Sequence, residues 1–406
     1  MKRLFPVLAL AFPLLLAAQE APAPLRFREL LRAERQPLRI VCFGDSVTGV
    51  YYHTGGRRSY PELIGEVLAS HHPKAEITVV NAGASGHTTT NGLARLQQHV
   101  LVHRPHLVTV MFGLNDVAKG SLDLYRKNLA EIVEKCRAAG AEVVLCTPNA
   151  VAETPARPVA EVAVFAGAAR AVARELAVPL CDPHADLGAL QAREPEAWRL
   201  SMSDEIHPNL RGHRRLAESI LTVVEGEPVL LPDDLPVSAP LAFTLTKLRK
   251  GEPVRVLAMP PFDTLAGDAL REAVPGASVE VVPWPVAGLD RPALMKDASH
   301  RVRPLSPDLV VIAVPRSAAA RDGEEFIRTQ MWIANHSLSY GKRAWDVVVA
   351  HPDVSEGAGG EAEKERDELI RQIVPAQDLP LVDRGEGDGR GAGEVFGEWV
   401  KQRAAE

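Results

Sequence analysis

Short apolar runs alternate along this chain with helix-period stretches, the pattern of parallel strands joined by crossover helices. In the first half the runs are RIVCF (39–43), ITVVN (77–81), LVTVMF (107–112), EVVLC (142–146) and VPLC (178–181). In the second half they are RVLAM (255–259), VEVVP (279–283), LVVIAV (309–314), DVVVA (346–350) and LPLV (379–382). Ten strands of this kind predict an α/β protein.

The two sets keep a common register. Leu25 and Leu241, Phe27 and Phe243, and Pro37 and Pro253 are each 216 positions apart. Val80 and Val282, like Leu107 and Leu309, are 202 apart, and Asp182 and Asp383 are 201 apart. Five runs in the same order, drifting only by small deletions, predict a duplicated domain. Two unrelated α/β domains are the alternative. The expected division is 25–225, a Pro-rich linker at 226–240, and 241–406.

A length of 406 residues is enough for two or three full cores. The net charge of −6 gives no reason to expect a nucleic-acid partner. Lys2 and Arg3, an apolar stretch at 4–16 and the small pair Ala17 and Ala18 read as a secretory signal over residues 1–18, hence export. The stretch is too short and Pro-interrupted for a stable membrane anchor. Export permits disulfides, but the four cysteines match no disulfide scaffold and no zinc pattern. Cys42, Cys146 and Cys181 sit in strand-like runs and are expected to be buried thiols. Cys146 and Cys181 close equivalent strands, which leaves a bridge between them conceivable.

The candidate chemistry lies in the first half. Gly44-Asp45-Ser46 follows the first run, NAGASG (81–86) the second, and Gly113-Leu114-Asn115-Asp116 the third. Asp204-Glu205-Ile206-His207 follows the fifth, before a helical stretch. Open α/β sheets bind ligands at the carboxyl ends of their strands, where all four segments fall. An order of 2-1-3-4-5 would bring them together. Ester hydrolysis needs an activated hydroxyl, a base near neutrality and donors for an oxyanion. Ser46 supplies the first, His207 the second, and Asp204 the carboxylate that orients the base. The N–H groups of Ser46 and Gly86 and the Asn115 side-chain amide supply the third. Should His207 not be the base, His213 is the next histidine.

Together these blocks resemble the SGNH, or GDSL, hydrolase superfamily, in GDSVTG, NAGASG, GLND and DEIHPN, over roughly residues 36–225. The resemblance implies a flavodoxin-like, three-layer α/β/α serine esterase with Ser46, Gly86, Asn115, Asp204 and His207 in these roles. One departure is His87, where the family commonly has Asp. The G-x-S-x-G elbow of α/β-hydrolases is absent.

The second copy lacks these residues. In register, Ser46 falls on Phe262, Asp45 on Pro261, Asn115 on Ser317 and Gly113 on Pro315, and only Gly86 keeps a glycine, Gly288. No histidine follows in RGEGDGRGAG after Asp383, so a non-catalytic domain is expected.

VYYHTGGRRSY (50–60) places Tyr51, Tyr52, His53, Arg57 and Arg58 near the nucleophile as candidate substrate contacts. With export, they favour deacetylation of a carbohydrate. A short-chain lipid or aryl esterase, an acyltransferase and a non-enzymatic carbohydrate-binding protein are the alternatives. No cofactor or metal motif is visible; His99 and His103 are isolated.

Overall fold

The computed structural model describes residues 25–406 except 35, 233, 234, 238, 340–343 and 386. The expected signal, residues 1–18, lies outside the described residues, as do three positions of the linker. Among the described residues no helix is long and apolar enough to cross a membrane.

The apolar runs become parallel strands. They are β1 (Leu38–Gly44), β2 (Ile77–Gly83), β3 (Leu107–Met111), β4 (Glu142–Cys146) and β5 (Leu180–Cys181), then β6 (Val254–Ala258), β7 (Val279–Pro283), β8 (Leu309–Ile312), β9 (Asp346–Ala350) and β10 (Leu381–Val382). One sheet has the order β2-β1-β3-β4-β5 and the other β7-β6-β8-β9-β10. Both are flanked by helices, so the expected flavodoxin-like order occurs twice. The last strand of each sheet is shorter than its apolar run because a proline, with no N–H, interrupts the ladder. Pro179 and Pro380 instead accept from Leu145 and Val349 N–H, each at 3.0 Å.

The halves repeat local interactions at or next to positions that the sequence register pairs. The Glu142 carboxylate, at the start of β4, accepts from Arg26 and Phe27 N–H at 2.8 and 2.5 Å. Asp346, at the start of β9, accepts from Thr244 N–H at 2.8 Å. His106 Nδ1 accepts from Arg39 N–H at 3.1 Å, and Asp308 from Arg255 N–H at 2.8 Å. Arg170 pairs with Asp182 at 2.6 Å and Arg371 with Asp383 at 2.7 Å. His351, Asp353 and Asp383 bring three donor atoms within 4.8 Å, but the Arg371 guanidinium, 2.6 Å from Asp353, already stands as their cation.

Where the first half has Ser46, the second has Phe262, fully buried and 5.0 Å from the Phe396 ring. All four cysteines are free and buried. Cys146 and Cys181 are register partners across β4 and β5, and the conceivable bridge between them is not formed.

The halves meet through both apolar and polar groups. Arg199 pairs with Glu324 at 2.9 Å. Arg57 donates to the Asp378 carbonyl at 2.6 Å, and Arg58 binds the Asp378 carboxylate at 3.2 Å. The Asp378 side chain is fully buried.

Candidate active site

Gly44 ends β1 where a tight turn follows. A Cβ there would overlap Thr48 Oγ1 and the Met111 carbonyl. In the turn, the Asp45 carboxylate accepts from Val47 N–H at 2.9 Å. Burial pushes the Asp45 carboxyl up to about 6. Ser46 is thereby lifted off the sheet edge, with Oγ 2.8 Å from His207 Nε2.

His207 precedes the helix Leu210–Glu225, which Asn209 caps by accepting from Gly212 N–H at 3.2 Å. Its Nδ1 lies 2.8 Å from Asp204 Oδ2, while Asp204 Oδ1 accepts from Ile206 and His207 N–H at 2.8 and 2.7 Å. A carboxylate accepts only, so Nδ1 carries the proton and the Nε2 lone pair faces Ser46. Burial alone would raise the Asp204 carboxyl. The His207 ring beside it, with hydrogen bonds from His207 and Tyr52, holds it well below the usual carboxylate range.

The oxyanion side comes from β2 and β3. Gly86 has φ 73°, a left-handed conformation that glycine adopts without strain. Asn115 is the second residue of the short helix Leu114–Lys119. Its Oδ1 accepts from Arg157 Nη2 at 2.9 Å, so the amide is not free to flip, and Nδ2 donates to the His87 carbonyl at 3.1 Å. Asp116 accepts from Thr89 N–H at 3.0 Å and from its hydroxyl at 2.6 Å, tying the two loops together. His87, the departure noted above, accepts from Arg95 Nε at 3.1 Å. Burial and this arginine lower its pKa.

Ser46, Gly86, Asn115 and His207 border one open cavity of about 580 Å³, with Tyr51, Tyr52, His53, Ser85, Lys119, Arg157 and Ile206 as its other walls. The expected nucleophile, base, acid and oxyanion residues are thus brought together, and Tyr51 and Tyr52 line the pocket as expected. Arg57 and Arg58 do not. Both are buried and turned away toward Asp378, and Arg58 also binds the Pro236 carbonyl. Their charge serves the seam between the halves, and contrary to expectation neither borders the cavity.

Tyr52 and His53 serve in ways their sequence position did not suggest. Tyr52 donates to Asp204 Oδ2 at 2.7 Å. His53 is fully buried, its ring parallel to that of His207 within 7° at 4.7 Å. His213, the alternative base, is also fully buried, with Nε2 3.3 Å from His53 Nδ1. Tyr60 N–H donates to His213 Nδ1 at 3.3 Å, which leaves Nε2 to donate to His53, which in turn donates from Nε2 to the Ser46 carbonyl at 2.9 Å. Burial and the nearby His207 ring lower the pKa of His53 well below its usual value and that of His213 to about 3. Neither is placed to take a proton from Ser46. Asp116 belongs to the GLND block, but its bond to Thr89 is not marked in the sequence, and nothing short-range marks Arg157.

A model of the GDSL-like lipase/acylhydrolase family matches residues 42–215. An arylesterase of Vibrio mimicus is 33% identical over 117 residues, 29% of this chain and 57% of that protein. Esterase TesA of Pseudomonas aeruginosa is 32% identical over 143 residues, 35% of this chain and 67% of that protein. An acetylxylan esterase of Geobacillus stearothermophilus is 26% identical over 214 residues, 47% of this chain and 94% of that protein. The chain therefore spans little more than half the length of the Vibrio relative.

Proposed function

The chain belongs to the GDSL-like lipase/acylhydrolase family, a family of carboxylic ester hydrolases, and on that premise we propose that it is an exported serine esterase that deacetylates a carbohydrate. The observation that carries the reading is the line from Ser46 Oγ to His207 Nε2 and from His207 Nδ1 to Asp204, 2.8 Å at each step, beside Gly86 and Asn115. Ser46 Oγ attacks the ester carbonyl while His207 Nε2 takes its proton. Asp204 stabilises the imidazolium. The N–H groups of Ser46 and Gly86 and Asn115 Nδ2 receive the negative charge on the former carbonyl oxygen. His207 returns the proton to the leaving alcohol, leaving an acyl-Ser46. Water, deprotonated by His207, then releases the acid and restores the serine.

Export is supported by residues 1–18, and the sugar by two pocket tyrosines and the resemblance to an acetylxylan esterase. The second half, 241–406, is read as a duplicated copy that has lost the chemistry. The repeated sheet order, the repeated caps and Phe262 in place of serine support that origin.

The test is hydrolysis of p-nitrophenyl acetate by wild type and Ser46→Ala, followed by acetylated xylo-oligosaccharides against aryl esters of increasing acyl length. Loss of turnover in Ser46→Ala and preference for acetylated sugar are expected. Undiminished activity in Ser46→Ala would overturn the nucleophile, and preference for long acyl chains would replace sugar with lipid.

A further inference from the structure

The second half reaches the acid of the site in the first. Ser203 directly precedes Asp204, and its carbonyl accepts from Asn335 Nδ2 at 3.3 Å while its hydroxyl donates to Asn335 Oδ1 at 3.3 Å. Gln377 Nε2 donates to the same hydroxyl at 3.2 Å. Ser203, Asn335 and Gln377 are all fully buried. Leu200, four residues before Asp204, belongs to the apolar core of the second half. The other support of Asp204 is the Tyr52 hydroxyl, and the Tyr52 ring stacks on Trp332 at 5.6 Å and 29°. Trp332 and Asn335 lie three residues apart on the helix Gly323–Ser337, so one helix face holds both supports.

We propose that this face of the second half is a buttress for the acid of the esterase site, with Trp332, Asn335 and Gln377 as positioning residues. The proposal rests on the reading of Ser46, His207 and Asp204 as a triad. Asp204 Oδ2 is shared by His207 Nδ1–H and the Tyr52 hydroxyl. Its direction toward His207 therefore depends on where Tyr52 and Ser203 are held. As His207 becomes an imidazolium in the transition state, misdirection of this carboxylate raises the barrier without weakening substrate binding. A copy without its own nucleophile would thereby still contribute to turnover by the other.

A double-mutant cycle in the full chain tests this, with Trp332→Ala, Tyr52→Phe and the pair assayed on p-nitrophenyl acetate. Tyr52→Phe keeps the ring and removes the hydroxyl. Trp332→Ala is expected to lower kcat about tenfold with KM changed less than about twofold, and Trp332→Phe to restore most of the loss. In the Tyr52→Phe background, Trp332→Ala should cost less than about twofold more, because its route to Asp204 is already cut. Wild-type kcat in a folded Trp332→Ala protein, or losses that multiply in the double variant, would overturn the proposal. Trp332→Leu, which keeps apolar volume but not the stacked face, carries the same cycle if the alanine variant does not fold. Ser46→Ala run alongside separates the two readings. Its inactivity with an unaffected Trp332→Ala sinks only the buttress, whereas its full activity sinks the triad itself.

Discussion

The His53 ring lies face to face with the His207 ring at 4.7 Å, yet the hydrogen bonds of His53 run elsewhere, from His213 and to the Ser46 carbonyl. His53 and His213 each donate at one nitrogen and accept at the other. Protonating either ring would turn its acceptor nitrogen into a second donor facing an N–H. A neutral column thus supports the nucleophile loop from below.

That column predicts loss of stability in mild acid. His53 and His213 have depressed folded-state pKa values, so below about pH 6.5 the unfolded chain binds protons that the folded chain refuses until far lower pH. Their stabilising contribution is full above that pH and lost as pH falls. Asp45, raised to about 6, acts in the opposite sense, because between about pH 4 and 6 the folded state holds a proton that the unfolded state releases. Burial also raises Asp116 and Asp346 but lowers His87, His106, His184 and His336, so the depressed histidines prevail and Tm should fall by about 5 °C or more between pH 7 and 4.5. His213→Asn, which keeps an acceptor toward Tyr60, should lower Tm at pH 7 and flatten the slope. A slope unchanged in this variant would place the acid sensitivity elsewhere.

Asn115→Ala should reduce kcat by about two to three orders of magnitude with little change in KM, since an oxyanion donor acts mainly in the transition state. Arg157→Ala should cost less, about tenfold in kcat, because Asn115 keeps its amide but loses the 2.9 Å bond that orients it. Steady-state kinetics on p-nitrophenyl acetate check both, and a pure KM effect in either would make it a binding residue.

Two glycine substitutions should have opposite signs. Gly44→Ala puts a methyl into Thr48 and the Met111 carbonyl and should destabilise by about 1–3 kcal/mol. Gly167 lies inside the helix Val159–Glu175 with open space around its missing Cβ, so Gly167→Ala should stabilise by about 0.5–1 kcal/mol. Urea unfolding of both variants reads the two signs directly.

The thiols should be silent in the folded protein. Cys42, Cys136, Cys146 and Cys181 are all buried, and burial pushes the Cys136 thiol up to about 12. A thiol reagent should find none of the four before denaturation and all four after it. Two after denaturation without reductant would reveal a bridge.

The strands were legible because each is a compact apolar run, and the candidate site was legible in short motifs: Ser46 stands just after β1, and Asp204 and His207 stand three residues apart before the helix Leu210–Glu225. What escaped was what depends on distant partners. Arg57 and Arg58 beside a nucleophile look like substrate ligands, but the residue that claims them, Asp378, stands 320 positions from Arg58. Tyr52 looked like a sugar platform, and only the folded loop shows its hydroxyl on Asp204. His87 departed from the family pattern, and its neighbour Arg95 shows how the network accommodates the change.

The seam around Asp378 bears on how such a chain diversifies. Its buried carboxylate and carbonyl answer two arginines from the opposite half, and a charge buried there without its counterpart is costly. A chimera that joins one half to a relative's other half therefore inherits a mismatch unless both sides of this contact travel together. The second half is thereby tethered to the first, and changes at 378 are legible only alongside 57 and 58.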